Sequence, residues 1–132
     1  MKRIIASLMI TTILIFMFST NVVFAVAEYT SGEYTYTFAS RGIEIIGYSG
    51  NESDLEIPST LDGYNVTCIG QAAFEDCTFL KSVRLPDGCQ YLGDRVFDGC
   101  TSLTSVTLPD EGFHTIQRYA FLGCESLTDI KL

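Results

Sequence analysis

One spaced line of residues occurs three times in succession in the later part of this 132-residue chain, and it constrains the fold more than any other feature. Aligned on Phe74, Phe97 and Phe121, the copies step by 23 and 24 residues, and Cys77, Cys100 and Cys124 keep the same steps. So do Leu80, Leu103 and Leu127, then Val83, Val106 and Ile130, then Leu85, Leu108 and Leu132. Ahead of each Phe stand Ile69, Leu92 and Ile116. A unit of this size cannot bury its own apolar face, so units repeating at one period stack and share a continuous core, which is a solenoid.

Each copy ends in an apolar-polar-apolar alternation such as Val106-Thr107-Leu108, the period-two pattern of a half-buried strand. Pro86 and Pro109 follow at once, and a residue without a backbone N–H stops the ladder there. A second extended piece is expected through Cys89 to Leu92 and through Phe113 to Ile116. Ala73-Phe74 and Ala120-Phe121 are expected to lie on tight helical turns that return the chain to the next strand. The expected fold is mostly β with short helical turns: a right-handed solenoid of about three repeats, drawn at 58–85, 86–108 and 109–132. Three units sit near the lower limit for a stable stack.

Residues 28–57 do not repeat and read as a cap. Tyr34, Tyr36 and Phe38 alternate with Glu33, Thr35 and Thr37, Ile43 and Ile45 flank Glu44, and Ala39-Ser40-Arg41-Gly42 supplies a turn, so a β-hairpin is expected. Leu55-Glu56-Ile57-Pro58 then copies the strand endings Val83-Arg84-Leu85-Pro86 and Val106-Thr107-Leu108-Pro109. The third copy stops at Leu132 without a comparable cap, which would leave apolar surface and an open strand edge in water. Three explanations stay open for this: the front of a longer protein, a truncated reading frame, or a true short form.

The first 27 residues read as a secretory signal. Lys2 and Arg3 form its charged start, and Ile4 to Phe18 is an apolar run broken only by Ser7, Thr11 and Thr12. Ala25-Val26-Ala27 supplies the small-x-small pattern, with cleavage expected after Ala27 or Ala25. The apolar run falls short of the roughly 20 residues a membrane-spanning helix needs, so membrane contact is expected only through this segment before cleavage. The chain has 16 acidic and 8 basic residues, and removal of Lys2 and Arg3 leaves 6 basic residues and a formal charge of −10. That surface repels nucleic-acid phosphates and anionic lipid.

Chemistry is thinly represented. His114 is the one histidine, in the irregular stretch Asp110-Glu111-Gly112-Phe113-His114, which is one residue longer than its counterpart; a solvated loop position is expected. There is no C-x-x-C spacing and no glycine-rich phosphate loop, so no metal or cofactor is implied. Cys77, Cys100 and Cys124 should stack as a ladder of free thiols, each a small apolar group with a weak donor for a backbone group in the turn. The alternative is a disulfide between neighbouring turns, which lie within Cα reach but whose parallel Cβ vectors disfavour the torsion. Cys89 is expected in the core, and Cys68, in register with Tyr91 and Thr115, at the surface. Asp87 and Asp110 follow the strand-ending prolines, where Asp caps turns. Asn51-Glu52-Ser53 and Asn65-Val66-Thr67 fit the glycosylation pattern.

One face stands out. The outward strand positions carry Lys81, Ser82 and Arg84, then Thr104, Ser105 and Thr107, then Thr128, Asp129 and Lys131, placing three of the six mature basic residues together. Solenoid sheets are extended binding surfaces, so Lys81, Arg84, Thr104, Thr107, Thr128 and Lys131 form a candidate partner-binding face.

The repeated line Ala-Phe-x-x-Cys-x-x-Leu-x-x-(Val/Ile)-x-Leu-Pro resembles the BspA-like leucine-rich repeats of bacterial surface proteins. Ala73-Phe74-Glu75-Asp76-Cys77 and Ala120-Phe121-Leu122-Gly123-Cys124 carry the resemblance, Val96 replaces the Ala of the middle copy, and Ile57 to Thr67 is similar to the first repeat of such proteins. The resemblance covers roughly residues 33–132. It implies a secreted or wall-associated protein used in adhesion or contact with host matrix or cell-surface proteins, and no catalytic residue. The competing reading is a structural spacer.

Overall fold

The computed structural model describes residues 26–132. Residues 1–25, and with them almost all of the expected export signal, lie outside the described residues. Strands follow in the order β1 (Tyr29–Ser31), β2 (Tyr34–Ala39), β3 (Gly42–Tyr48), β4 (Asp54–Glu56), β5 (Thr60–Leu61), β6 (Tyr64–Ile69), β7 (Ser82–Arg84), β8 (Tyr91–Leu92), β9 (Ser105–Thr107), β10 (Thr115–Ile116) and β11 (Asp129–Lys131). No helix occurs among the described residues.

The strands form two sheets. One runs β1-β2-β3-β6-β8-β10 with β5 beside β6, and the other runs β4-β7-β9-β11. From β3 onward, each turn of the chain gives one strand to each sheet, and successive turns pair in parallel. Parallel register puts like on like: Ile45, Ile69, Leu92 and Ile116 form one inward column, and Leu55, Val83, Val106 and Ile130 form the other. These columns meet in the core, where Ile45, Ile69, Leu92, Phe74, Phe97, Leu80 and Leu103 are wholly buried. Each such side chain contributes about 1.5–3 kcal/mol relative to exposure.

The solenoid has about four turns, not the expected three. The additional turn is β3 with β4, which the repeat line does not reveal because it lacks the Phe-x-x-Cys-x-x-Leu segment. Tyr48 fills the aromatic position instead. Its ring lies 5.3 Å from Phe74, which stacks 5.4 Å from Phe97, which stacks 5.7 Å from Phe121. The expected hairpin is β2 with β3, bulged between Thr35 and Tyr36. β1 adds an outer strand to it. A second hairpin, β5 with β6, turns at Asp62-Gly63, both with positive φ as a tight two-residue turn demands. The Asp62 carboxylate accepts hydrogen bonds from Ser31 Oγ at 2.8 Å and Tyr36 Oη at 2.9 Å, tying the two hairpins together.

The expected helical turns are not helices, and the backbone shows why. Within each copy two residues four apart adopt positive φ: Ala72 and Asp76, Arg95 and Gly99, Tyr119 and Gly123. Left-handed residues at that spacing interrupt a right-handed helix. The N–H groups of Ala72, Phe74 and Asp76 reach across to the carbonyls of Asp94, Val96 and Asp98 in the next turn, and Arg95, Phe97 and Gly99 do the same to Arg118, Ala120 and Leu122. The intervening N–H groups of Glu75, Cys77 and Asp98, Cys100 close local turns. Donors thus alternate between a local and a neighbouring acceptor, which makes this side of the solenoid a third ladder and leaves no run of i to i−4 bonds.

Candidate interaction face

On the β4-β7-β9-β11 sheet the middle residue of each strand points inward, and the flanking residues stand outward in columns. One column is Asp54, Ser82, Ser105, Asp129 and another is Glu56, Arg84, Thr107, Lys131. A third runs just ahead of the strands through Ser53, Lys81, Thr104 and Thr128, linked by the N–H of Lys81 to Ser53, of Thr104 to Lys81 and of Thr128 to Thr104. The six expected face residues therefore share one surface.

Their chemistry is less uniform than the sequence reading held. Asp54 and Glu56 join the face from the extra turn, so Lys81, Arg84 and Lys131 stand among the three carboxylates Asp54, Glu56 and Asp129. The face is charge-balanced on a strongly acidic protein. Lys131 Nζ pairs with Asp129 at 3.2 Å, the one ion pair among the described residues. Asp54 accepts from Ser82 Oγ at 2.6 Å and from Ser53 Oγ at 2.9 Å, and those bonds, with Lys81 nearby, hold its carboxyl below the usual range. The hydroxyls of Thr104 and Thr128 donate to the backbone carbonyls of Lys81 and Thr104. Lys81 and Arg84 on the second rung and Thr107 on the third carry the side-chain donors that none of these bonds uses. An open groove beside Arg84 is lined by Glu56, Pro58, Ser59, Pro86 and Asp87.

The Phe and Cys ladders run along the third, hydrogen-bonded side of the solenoid rather than on this face. Phe74 and Phe97 are buried, and Phe121 packs against the core from the last turn. All five cysteines are free thiols. Cys100 Sγ donates to the Phe74 carbonyl at 3.1 Å and Cys124 Sγ to the Phe97 carbonyl at 3.0 Å, so the backbone group each satisfies belongs to the preceding turn. Burial pushes the Cys100 thiol up to about 12 and the Cys89 thiol up to about 11. Cys68 is half-buried, in register with Tyr91 as expected. His114 is exposed, and no group of three His, Cys, Asp or Glu side chains is placed to hold a metal ion among the described residues.

This geometry defines a class: short parallel rungs on two sides, a backbone ladder on the third, and stacked Phe and Cys columns make a leucine-rich-repeat solenoid. The chain belongs to the BspA-type leucine-rich repeat family, whose model, described as "BspA type Leucine rich repeat region (6 copies)", matches residues 43–132. Among solved structures it is similar to the leucine-rich repeat protein TpLRR of T. pallidum, with 34% identity and a TM-score of 0.73 over 80% of this chain and 50% of that one. It is also similar to a leucine-rich cell surface protein of Faecalibacterium prausnitzii A2-165, with 35% identity and a TM-score of 0.73 over 80% of this chain and 30% of that one. A leucine-rich repeat protein of Bacteroides ovatus matches at 29% identity and a TM-score of 0.68, over 79% of this chain and 29% of that one. The chain thus spans half or less of the length of these three structures. Comparison with curated proteins gives no match.

Proposed function

We propose that the protein is secreted or held at the cell surface and acts as a binding module, capturing a protein partner on the β4-β7-β9-β11 face in the manner of an adhesin, without chemistry of its own. The observation that carries this reading is the placement of Lys81, Arg84 and Thr107 on adjacent rungs, with side-chain donors that no hydrogen bond or ion pair among the described residues engages. Elsewhere the excess of carboxylates opposes an acidic partner, whereas here the charges balance, so a host matrix or cell-surface protein can approach this face without net repulsion. The cell-surface description of the F. prausnitzii relative supports the location. No cofactor belongs to this reading.

The test is capture by immobilised mature protein from a mixture of host matrix and surface proteins. Replacing Lys81, Arg84 and Lys131 by Ser should reduce retention, with Lys81 and Arg84 accounting for most of the loss because Lys131 is already paired. Retention that does not change removes the face from the mechanism. The second reading, a spacer that projects other domains, is favoured by the greater length of the related structures, and it predicts that the native protein retains nothing.

A further inference from the structure

We propose that the groove where β4 and β7 end holds an extended segment of a partner polypeptide in which an acidic and a basic side chain stand two residues apart on one side, the acidic one paired with Arg84 and the basic one with Glu56 and Asp87. This rests on the reading of the β4-β7-β9-β11 sheet as the partner surface and names the partner's chemistry there. The groove arises because two successive corners differ. After Pro58 the chain runs out into the β5-β6 hairpin, whose base is closed by the Val66 N–H donating to the Ser59 carbonyl at 2.9 Å. After Pro86 it turns back at once, the Cys89 N–H donating to the Pro86 carbonyl at 2.9 Å. A space of about 440 Å³ opens between the two corners, with Pro58 and Pro86 as apolar walls and Glu56, Ser59, Arg84 and Asp87 exposed along it. It lies on the first two turns, so further turns beyond Leu132 would neither build it nor line it. Charge selects the occupant. Glu56 and Arg84 are register partners on adjacent rungs, yet no ion pair joins them, and no side-chain hydrogen bond among the described residues engages either of them or Asp87. A segment with carboxylates alone would meet Arg84 but be opposed by Glu56 and Asp87, on a strongly acidic chain. One with basic groups alone would set a like charge against Arg84. A segment carrying one of each gives every charge in the groove an opposite partner. In extended backbone alternate side chains share one side, roughly 6.5–7 Å apart, and the methylene stem of a Lys or Arg can lie along the proline rings while its head reaches a carboxylate.

The probes are three end-capped peptides, Ala-Lys-Ala-Glu-Ala and its all-Lys and all-Glu counterparts, titrated into the protein while its backbone amide resonances are followed. The mixed peptide should shift the amides of Glu56, Ser59, Arg84 and Asp87 and bind roughly threefold to tenfold more tightly than either counterpart, the range that one or two exposed charge contacts supply. Arg84→Glu makes the groove wholly acidic and should reverse the order, with the all-Lys peptide then binding best. Thermal unfolding of that variant at the native temperature shows that the fold is intact. A native protein that prefers the all-Lys peptide responds to net acidity alone and overturns the proposal, and so does a mixed peptide that fails to bind or shifts amides elsewhere. The partner surface itself is judged separately. Capture from the matrix mixture that is lost in Lys81→Ser but kept when Glu56→Gln and Asp87→Asn are combined rejects the groove and keeps the face, whereas retention that none of these changes alters rejects the face.

Discussion

The Cys100 thiol donates to the Phe74 carbonyl, 3.1 Å away and one turn back along the solenoid, although Phe74 and Cys100 are 26 residues apart in sequence. The same carbonyl already accepts the local N–H of Cys77, so the thiol occupies its second lone pair and links the turns through a side chain. Cys100→Ala removes that donor and leaves a small void, and should destabilise the protein by about 1–2 kcal/mol, read as a lower denaturant midpoint at unchanged slope. Cys124→Ala should cost less, because Cys124 sits on the partly exposed last turn.

The thiols differ in access. Cys68 is half-buried, whereas Cys89 and Cys100 are fully buried. Alkylation of the native protein should label Cys68 and Cys124 first, and Cys89 and Cys100 only as fast as the protein opens. Alkylation after denaturation should add five groups, and a lower count accompanied by a loss of two mass units per missing pair would refute the free-thiol assignment.

Stability should fall at alkaline pH. Burial raises the Cys100 thiol to about 12, the Cys89 thiol to about 11 and the Tyr36 phenol to about 12, where Asp62 also contributes by hydrogen bonding. The folded protein then keeps protons that the unfolded chain releases near pH 9 for thiols and 10 for phenols. The unfolded state binds fewer protons in that window, so unfolding becomes easier as pH rises. Denaturation at a series of pH values should show no change from these thiols and this phenol between about pH 6 and 8 and a steady loss of stability between roughly 9 and 12.

Gly93 stands where two turns approach closely. A Cβ placed there would lie 2.6 Å from the Gly70 carbonyl carbon and the Gln71 nitrogen, both backbone atoms that cannot rotate aside. Gly93→Ala should therefore cost about 1–3 kcal/mol or more, whereas Gly63→Ala meets no atom within 4 Å and is limited to the strain of its φ of +86°. Thermal unfolding of the two variants side by side separates steric conflict from backbone strain.

Asp62 joins the two N-terminal hairpins through Ser31 and Tyr36. Asp62→Ala should loosen β1 and β2 by about 1–2 kcal/mol while leaving the later turns protected. Amide exchange would show this as faster exchange confined to residues 29–39, and uniform acceleration along the chain would contradict it.

The sequence made the later turns legible because parallel stacking repeats one side-chain environment at every rung, so Phe, Cys and Leu return at a fixed step. The first turn was hidden for the converse reason. Its aromatic is a Tyr, its thiol is absent, and its β3 strand doubles as half of a hairpin, so the pattern that identifies the family is missing where the fold begins. Ile45 does stand one repeat step ahead of Ile69, in line with Leu92 and Ile116, and that spacing could have revealed it. The helical expectation failed because left-handed conformations at Ala72, Arg95 and Tyr119 carry no distinctive residue type. The outward columns of the β4-β7-β9-β11 sheet were legible as positions but not as charges, since Asp54 and Glu56 reach them only through the turn that the repeat line omits.

The two later repeat steps differ by one residue, and the surplus is taken up in the exposed corner around Asp110, Glu111 and Gly112. Gly112 has a φ of +74° and open space around it, and Thr115 and Ile116 still meet Tyr91 and Leu92 in register. Lengthening this corner therefore does not shift the rungs on either side. A foreign peptide spliced between Glu111 and Gly112 would be displayed from a fixed base, which makes this corner the place where the protein could be turned into a presentation scaffold without rewriting its interior.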